Sequence, residues 1–512
     1  MWIFITLVLV IILALAVYDL LQRRHTILRN FPVIGHFRYW LEAVGPELRQ
    51  YIVTDNDDER PFSRDQRRWV YASAKHENNY FSFGTDNDLE LEPNYLIIKH
   101  NAFPLPEPQP GQPGYDPDYH LPCAKVLGGP RQRAKRFRPA SVVNLSAMSF
   151  GSLSAPAVEA LNRGSQLAGC LHNTGEGGIS PHHLHGGDLI WQIGTAYFGA
   201  RELDGRFSLP KLVDTVQQHP QVRAIEIKLS QGAKPGLGGI LPAAKITPEV
   251  ARIRGIPMGQ DCLSPSAHTA FHDVDSLLDF VEQIADATGL PVGIKSAVGE
   301  IDFWRDLARL MATGSRGVDF ITIDGGEGGT GSAPLAFTDH VSLPFKVGFS
   351  RVYPTLAEYD VHHNVVFIGS GRLGFPERAL FAFGLGCDMV AVAREAMLSI
   401  GCIQAQRCHT GHCPSGVATQ NRWFAHGLDP SLKSVRLANY IVTLRKELTR
   451  LSRACGVPHP SLVTLDHFEI LDGWLSATTI DELFHYPPAI RQPSLKDRQA
   501  IEQLMLAVKV SD

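Results

Sequence analysis

Beyond about residue 141 the chain alternates between short apolar, β-branched runs and stretches with helical periodicity. The runs fall at 142–145, 167–172, 189–193, 224–229, 292–295, 320–323, 365–368 and 389–392. Near-continuous apolar runs suit strands covered on both faces, as in a parallel sheet with crossover helices. Eight of them over about 250 residues predict an α/β fold, a (β/α)8 TIM barrel. Each run is followed by Gly, Ser, Asn or a charged residue, where active-site loops would begin. No G-x-G-x-x-G follows the first run, which counts against a doubly wound dinucleotide fold.

The flanks read differently. Residues 2–18, WIFITLVLVIILALAVY, carry no charge. A membrane span needs about 20 residues, with a lower limit near 17, so residues 1–20 are expected to be a transmembrane anchor. Arg23, Arg24 and Arg29 follow it. Positive charge on that side predicts a single-pass protein of the cell membrane with a cytoplasmic catalytic body. A cleaved signal peptide is the rival reading, because Ala14-Leu15-Ala16 resembles a small-residue cleavage site, but the basic n-region is missing. A buried core helix is a third. Residues 21–140 are Pro-rich and charged, with an acidic run from Asp55 to Glu59 and a Pro-rich stretch from Pro104 to Pro110. They are expected to be an irregular collar without a catalytic motif. The barrel is assigned to 141–428, and residues 429–512 to a helical extension packed around it.

Composition narrows the class. Lys and Arg number 48 against 52 Asp and Glu, a net charge of −4. That excludes the basic footprint of a nucleic-acid binder. Of eight cysteines, Cys123, Cys170, Cys262, Cys387 and Cys455 stand alone. A disulfide framework belongs to short secreted chains, not to one of this size. Nothing in the sequence reports the oligomeric state.

The remaining three, Cys402, Cys408 and Cys413, are spaced C-x5-C-x4-C with Pro414 directly after. Soft thiolates hold iron–sulfur clusters, and a trailing Pro is a ferredoxin feature. Three clustered thiolates suit a three-iron cluster with one ligand per iron. Zinc with His409 or His412, or plain buried cysteines, are the competing readings. Two further loops follow the seventh and eighth runs, Gly369-Ser370-Gly371-Arg372-Leu373-Gly374 and Ala393-Arg394. Barrels of this kind often hold a phosphate there, on backbone N–H groups and an arginine. Glycine-rich loops also follow the second run (173–178), the fourth (231–239) and the sixth (324–331). More glycine than a turn needs suggests backbone close to a flat ring or a carboxylate. Lys295 ends the fifth run and would put a cation inside the mouth.

Together these stretches resemble the FMN-binding synthase domain of the glutamate synthase family, over roughly 140–425. Ser146-Ala147-Met148-Ser149-Phe150-Gly151 looks like the family's first-strand segment under the flavin. Asn173-Thr174-Gly175-Glu176-Gly177-Gly178 and Gln231-Gly232-Ala233-Lys234-Pro235-Gly236 are near-literal family motifs. Ser264-Pro265 with His268 matches another. Gly325-Gly326 and Gly329-Thr330-Gly331 resemble the strand-six loop, with Glu327-Gly328 as an insertion. The cysteine spacing and the tail Pro414-x-Gly416-Val417-Ala418-Thr419-Gln420 match the family's 3Fe-4S loop.

The resemblance implies an oxidoreductase acting on CH-NH2 donors, with FMN and a 3Fe-4S cluster as cofactors. Cys402, Cys408 and Cys413 would ligate the cluster. Ser146, Ala147, Met148, Ser149, Lys295, Gly325, Gly326, Gly369, Ser370, Gly371, Arg372, Ala393 and Arg394 would bind FMN. Lys295 and Glu176 are the catalytic candidates, and Lys228, Gln231 and Lys234 the substrate candidates. The implied reaction is reductive amination of a 2-oxo acid, 2-oxoglutarate to glutamate, with ammonia and electrons from an external donor such as ferredoxin or a reductase subunit. The family's glutaminase nucleophile, an N-terminal cysteine, has no counterpart before Cys123, which points to a stand-alone, membrane-anchored branch. Two alternatives stand beside it. One is an FMN barrel making an N-substituted amino acid such as N-methylglutamate. The other is a membrane-bound electron-relay subunit without a small substrate.

Overall fold

The computed structural model describes residues 1–51, 59–80, 84–490 and 493–507. Eight parallel strands close into a barrel: β1 (Val143–Leu145), β2 (His172–Asn173), β3 (Leu189–Ile193), β4 (Val222–Lys228), β5 (Val292–Ser296), β6 (Phe320–Asp324), β7 (Val366–Ser370) and β8 (Met389–Val392). Strand β8 pairs back to β1, with Val390 opposite Val143 and Val392 opposite Leu145. The chain is therefore a TIM barrel, and each predicted run contributes a strand. The second run is shorter than its sequence suggests. Residues Leu167 and Ala168 finish helix α4 (Ala155–Ala168), Gly169 caps it in the left-handed region, and only His172–Asn173 is extended.

The bottom of the barrel is plugged from inside. Cys123, Leu127 and the partly buried Phe137 pack with Leu171, Ile190, Ala224, Phe320, Val366, Ile368 and Met389. The segment before β1 is thus core as well as collar. Arg133 holds it there. Its guanidinium donates to Asp319 (3.0 Å) and to both oxygens of Glu282 (2.6 and 3.0 Å). Burial pushes the Asp319 carboxyl up, against the pull of Arg133 and the Val292 N–H.

The flanks are more ordered than their composition suggested. The N-terminal helix α1 is Trp2–Leu21, and it is long and apolar enough to cross a membrane. It is followed by a short helix (Thr26–Asn30), then by α2 (Gly35–Tyr51) and α3 (Arg64–Lys75), so the region expected to be irregular is largely helical up to Lys75. The acidic positions 55–58 lie outside the described residues. The extension after 429 begins with α5 (Pro430–Ala454), which crosses α4 at Gly164. A Cβ there would sit 2.7 Å from the Ser434 carbonyl oxygen, so only glycine allows this approach. The rest is not purely helical. Strand Phe468–Leu471 pairs antiparallel with Tyr95–Ile98 from the collar and with Ala477–Thr479.

Arg133→Ala should cost about 3–5 kcal/mol, because it strands buried Asp319 without its cation. The expected reading is a lower urea midpoint at unchanged slope. An unchanged midpoint would mean the plug is not held by this ion pair.

Candidate active site

One cavity of about 210 Å³ opens at the C-terminal ends of the strands, where barrel enzymes keep their chemistry. Its floor rests on a buried carboxylate. Glu226 in β4 accepts from Asn173 Nδ2 (2.7 Å), Gln192 Nε2 (2.6 Å) and Thr322 Oγ1 (2.7 Å). Those three side chains come from β2, β3 and β6. Lys295, on β5, borders the small void that Glu226 lines. Its ammonium lies 3.5 Å from Asp324 Oδ2, which also accepts from the Gly232 N–H at 2.9 Å. That last bond needs glycine at 232, since a Cβ there would overlap the Gly325 carbonyl.

On one side of the mouth the loops after β7 and β8 bring Ser370, Gly371, Arg372, Ala393 and Arg394 to the cavity. Gly371 (φ 131°) and Arg372 (φ 54°) both take left-handed backbone. For arginine this is uncommon, and it turns the side chain toward Arg394. Both guanidinium groups lie over the Phe62 ring, at 5.4 and 5.1 Å from its centroid. Burial, followed by repulsion from Arg378 and Arg394, pushes Arg372 down to about 10. Its buried Nε has no hydrogen-bond partner among the described residues. Arg394 donates to the Glu327 carbonyl, so part of its capacity is used within the chain. Two crowded cations at the cavity wall could hold an anion.

The opposite side carries a connected polar rim. Lys228 Nζ donates to Glu176 Oε1 (2.8 Å) and Gln231 Oε1 (2.7 Å). Gln231 Nε2 donates to Thr330 Oγ1 (3.1 Å), and Lys234 Nζ to the Ser332 carbonyl (2.8 Å). Burial would raise the Glu176 carboxyl, but Lys228 outweighs it and holds the group below the usual range. Lys234 is pushed down to about 8, by burial first and then by Lys228, with Glu176 opposing. His268 braces this rim from behind, touching the Lys228 carbonyl (2.9 Å) and the Tyr197 hydroxyl (3.1 Å). Burial lowers it to about 4, which keeps it neutral.

Of the residues expected to surround a flavin, Ser146, Ala147, Met148, Ser149, Lys295, Ser370, Gly371, Arg372, Ala393 and Arg394 line the cavity. Glu176, Lys228, Gln231 and Lys234 line it as well. Gly325, Gly326 and Gly369 are not among the lining residues. Gly325 and Gly326 spend their N–H groups on the Ser370 and Leu343 carbonyls (2.8 and 2.9 Å). Gly369 packs behind β7, where a Cβ would meet Leu373, Phe345 and Cys387.

Among the cavity residues that escaped the sequence reading are the polar Gln192, Lys245 and Arg254. Lys245 and Arg254 belong to the long connection between β4 and β5, whose hairpin Ile240–Leu241/Cys262–Leu263 folds back at the mouth. Arg254 donates to the Phe150 carbonyl (3.1 Å) and Lys245 to that of Ser152 (3.1 Å). The length of that connection was the available signal, because long loops in compact domains are usually functional.

The three clustered cysteines are unbridged thiols. Cys408 lines the cavity, whereas Cys402 and Cys413 are not among its lining residues. Burial is the largest cause raising Cys402, to about 12, and raising Cys408, and the neighbouring cysteines add to it. Two groups among the described residues bring ligand atoms all within 4.8 Å of one another, Asp360/His362/His363 and Asp116/Asp118/His120. The cysteine trio is not among them. Cys387 is buried beside β7, and Cys455 follows α5 with its carbonyl accepting from His467 (3.2 Å).

The closed barrel and the cation-rich cavity at the C-terminal ends of its strands place this chain among the TIM-barrel proteins. Residues 128–458 match the conserved region in glutamate synthase. The glutamate synthase large subunit-like protein YerD of Bacillus subtilis is 37% identical over 494 residues, covering 91% of this chain and 93% of that protein. The archaeal-type glutamate synthase (NADPH) of Thermotoga maritima is 33% identical over 320 residues, 62% of this chain and 59% of its own length. A glutamate synthase large subunit-like protein of Rhizobium meliloti is 29% identical over 359 residues, 67% of this chain and 77% of that protein. The chain thus spans about three-fifths of the archaeal-type synthase and nearly all of YerD. It belongs to the glutamate synthase family.

Glu176→Gln removes the group that supports the charge on Lys234. Competitive acetylation against pH, read at Lys234 by mass spectrometry, should move its midpoint below about 8. A midpoint that stays put or rises would mean Glu176 does not reach Lys234.

Proposed function

We propose that the protein is a glutamate synthase-type oxidoreductase that uses FMN and a 3Fe-4S cluster to aminate a 2-oxo acid reductively. The carrying observation is that one cavity extends from Arg372 and Arg394, past Lys295 and Lys228, to Cys408. The orphaned Arg372 Nε and the glycine backbone beside it fit a phosphate, with Arg394 as second cation. The residues after β1, Ser146 to Ser149, and Lys295 would border the ring. Three unbridged thiols close enough for their charges to interact, with Cys408 at the cavity wall, fit a cluster.

Bound FMN would supply hydride to an imino acid, and the cluster would bring electrons from a ferredoxin or a reductase subunit. The chain's own residues do the rest. Lys228, Lys234 and Gln231 hold the carboxylates of 2-oxoglutarate, and their positive field raises the local concentration of dianions. Glu176, kept ionised by Lys228, faces the nitrogen of the condensing ammonia and takes up the proton released there. Condensation of the 2-oxo acid with ammonia releases water, and two electrons with two protons complete the amino acid. Lys295 stabilises negative charge at the ring edge, the kind of fixed electrostatics that supplies the largest catalytic term. Helix α1 anchors this body to the cytoplasmic face of the cell membrane.

The test is anaerobic. Chemically reduced protein mixed with 2-oxoglutarate and ammonia should regain oxidised-flavin absorbance and yield glutamate. Flavin that stays reduced with this pair, but reoxidises with another oxo acid or amine, would leave the family chemistry and change the substrate. Reduced flavin indifferent to every oxo acid would support an electron-relay subunit instead.

The cluster has its own test. Protein prepared without oxygen should contain three irons, Cys408→Ala should lose them, and Cys387→Ala or Cys455→Ala should keep them. One zinc and no iron would defeat the cluster reading and leave the barrel chemistry needing another electron route.

A further inference from the structure

The segment after α1 presents an apolar face that is exposed among the described residues. Ile34 (78% exposed), Phe37 (59%), Trp40 (59%) and Leu41 (41%) point outward at the start of α2. Positions 34, 37 and 41 repeat at helical spacing, and residue 40 widens the stripe. The Phe37 and Trp40 rings stack at 5.8 Å, so the face is a preformed aromatic plate. Its opposite side is committed inward. Tyr39 sets its ring edge-on to His25 at 5.1 Å, and His36 Nε2 lies 2.9 Å from Asp19 Oδ1.

Asp19 is the hinge pin. It is fully buried although it ends an apolar helix, and its Oδ2 also accepts from the Val33 N–H at 2.9 Å. The contact fixes α2 against the last turn of α1. Between them stand Arg23 and Arg24, both exposed. Apolar helix, exposed cations and an aromatic plate follow one another as they do across a bilayer surface. Trp and other aromatics gather at headgroup depth, and exposed cations there attract anionic lipid.

We propose that the outer face of α2 is a membrane-interface helix, seated at the headgroup–acyl boundary of a bilayer containing anionic lipid. This rests on reading α1 as a membrane span and goes beyond it, because it fixes how the body sits. The consequence reaches the cysteine loop. Asn30, between α1 and α2, donates to the carbonyls of Pro414 (2.8 Å) and Phe424 (3.0 Å), and Trp423 Nε1 donates back to the Asn30 carbonyl (3.0 Å). Pro414 directly follows Cys413. An interfacial α2 therefore holds the three-cysteine loop near the membrane surface, and its electron donor must work there.

The test uses the full chain in nanodiscs of phosphatidylcholine and phosphatidylglycerol carrying an acyl-chain diazirine lipid. After irradiation, lipid adducts are mapped by mass spectrometry. Adducts are expected in 2–18 and also at Ile34, Phe37, Trp40 and Leu41. Phe37→Glu with Trp40→Glu should lose the second set and keep the first, while the flavin spectrum or far-ultraviolet signal reports an intact fold. Adducts confined to 2–18 in the unmodified chain would overturn the interface helix and leave the anchor standing. Crosslinks from α2 to a second copy of the chain, in place of lipid, would also overturn it. Absence of adducts in 2–18 would remove the anchor reading and this one with it.

Discussion

The mouth of this barrel depends on a carboxylate that water does not reach. Glu226 is 1% exposed, and three side chains from three other strands donate to it. A buried charge without partners costs several kcal/mol, so the register of β2, β3 and β6 against β4 is tied to satisfying it. Parallel strands this short carry little register information of their own; β2 contributes only two residues. The hydrogen-bonded hub supplies it. Lys295 and the rim above inherit their positions from that hub, because Lys295 opposes Lys228 across the β4–β5 pairing.

Above the hub the site solves an electrostatic problem in two ways. On one side Lys228 and Glu176 neutralise each other at 2.8 Å, which lets both be nearly dry. Lys234 gets less help, and burial takes its pKa down to about 8. On the other side Arg372 and Arg394 form no ion pair among the described residues; Phe62 and the Glu327 carbonyl contact them, and Glu395 and Glu327, with Asp324 for Arg394, compensate their charge from further off. Buried cations compensated only at a distance could hold an anion. The overall charge of −4 conceals this local excess.

The sequence exposed the strands well because buried parallel strands are written as apolar runs, and length separates them from helices. Glu226 and Gln192 stayed hidden for the same reason. Each is a polar residue inside an apolar run, and one sequence does not tell an inward hydrogen-bonded side chain from an interruption. Lys245 and Arg254 were hidden by distance along the chain: only the fold-back of the Ile240–Leu241 hairpin brings them to Ser149 and Ser152. The glycine loops were legible as a set but not one by one. Gly371 meets the cavity, while Gly325 and Gly369 serve packing between strands, and glycine looks alike in both roles. The collar misled because proline and charge dominate its composition. Its order comes from partners far away, such as Phe468–Leu471 against Tyr95–Ile98 and Tyr71 Oη on the Cys402 carbonyl at 2.7 Å.

Those distant partners bear on how the cysteine loop is built. Its backbone makes few hydrogen bonds within itself, and outside elements fix it at several points. Tyr71 holds the Cys402 carbonyl, Gln404 bonds the Phe62 backbone at both N–H and C=O (3.1 and 3.0 Å), and Asn30 holds Pro414. Gln404 and Gln406 both adopt left-handed backbone, a conformation a free loop would not keep at two nearby non-glycine positions. The barrel meets the same loop through Lys245, whose ammonium is close enough to Cys408 and Cys413 for their charge to favour its protonated form, although burial lowers it overall. Collar and barrel thus hold the three thiols from opposite sides. Loosening the collar would leave the cavity's lysines in place, but it would take Phe62 from Arg372 and Arg394 and free the wall that carries Cys408.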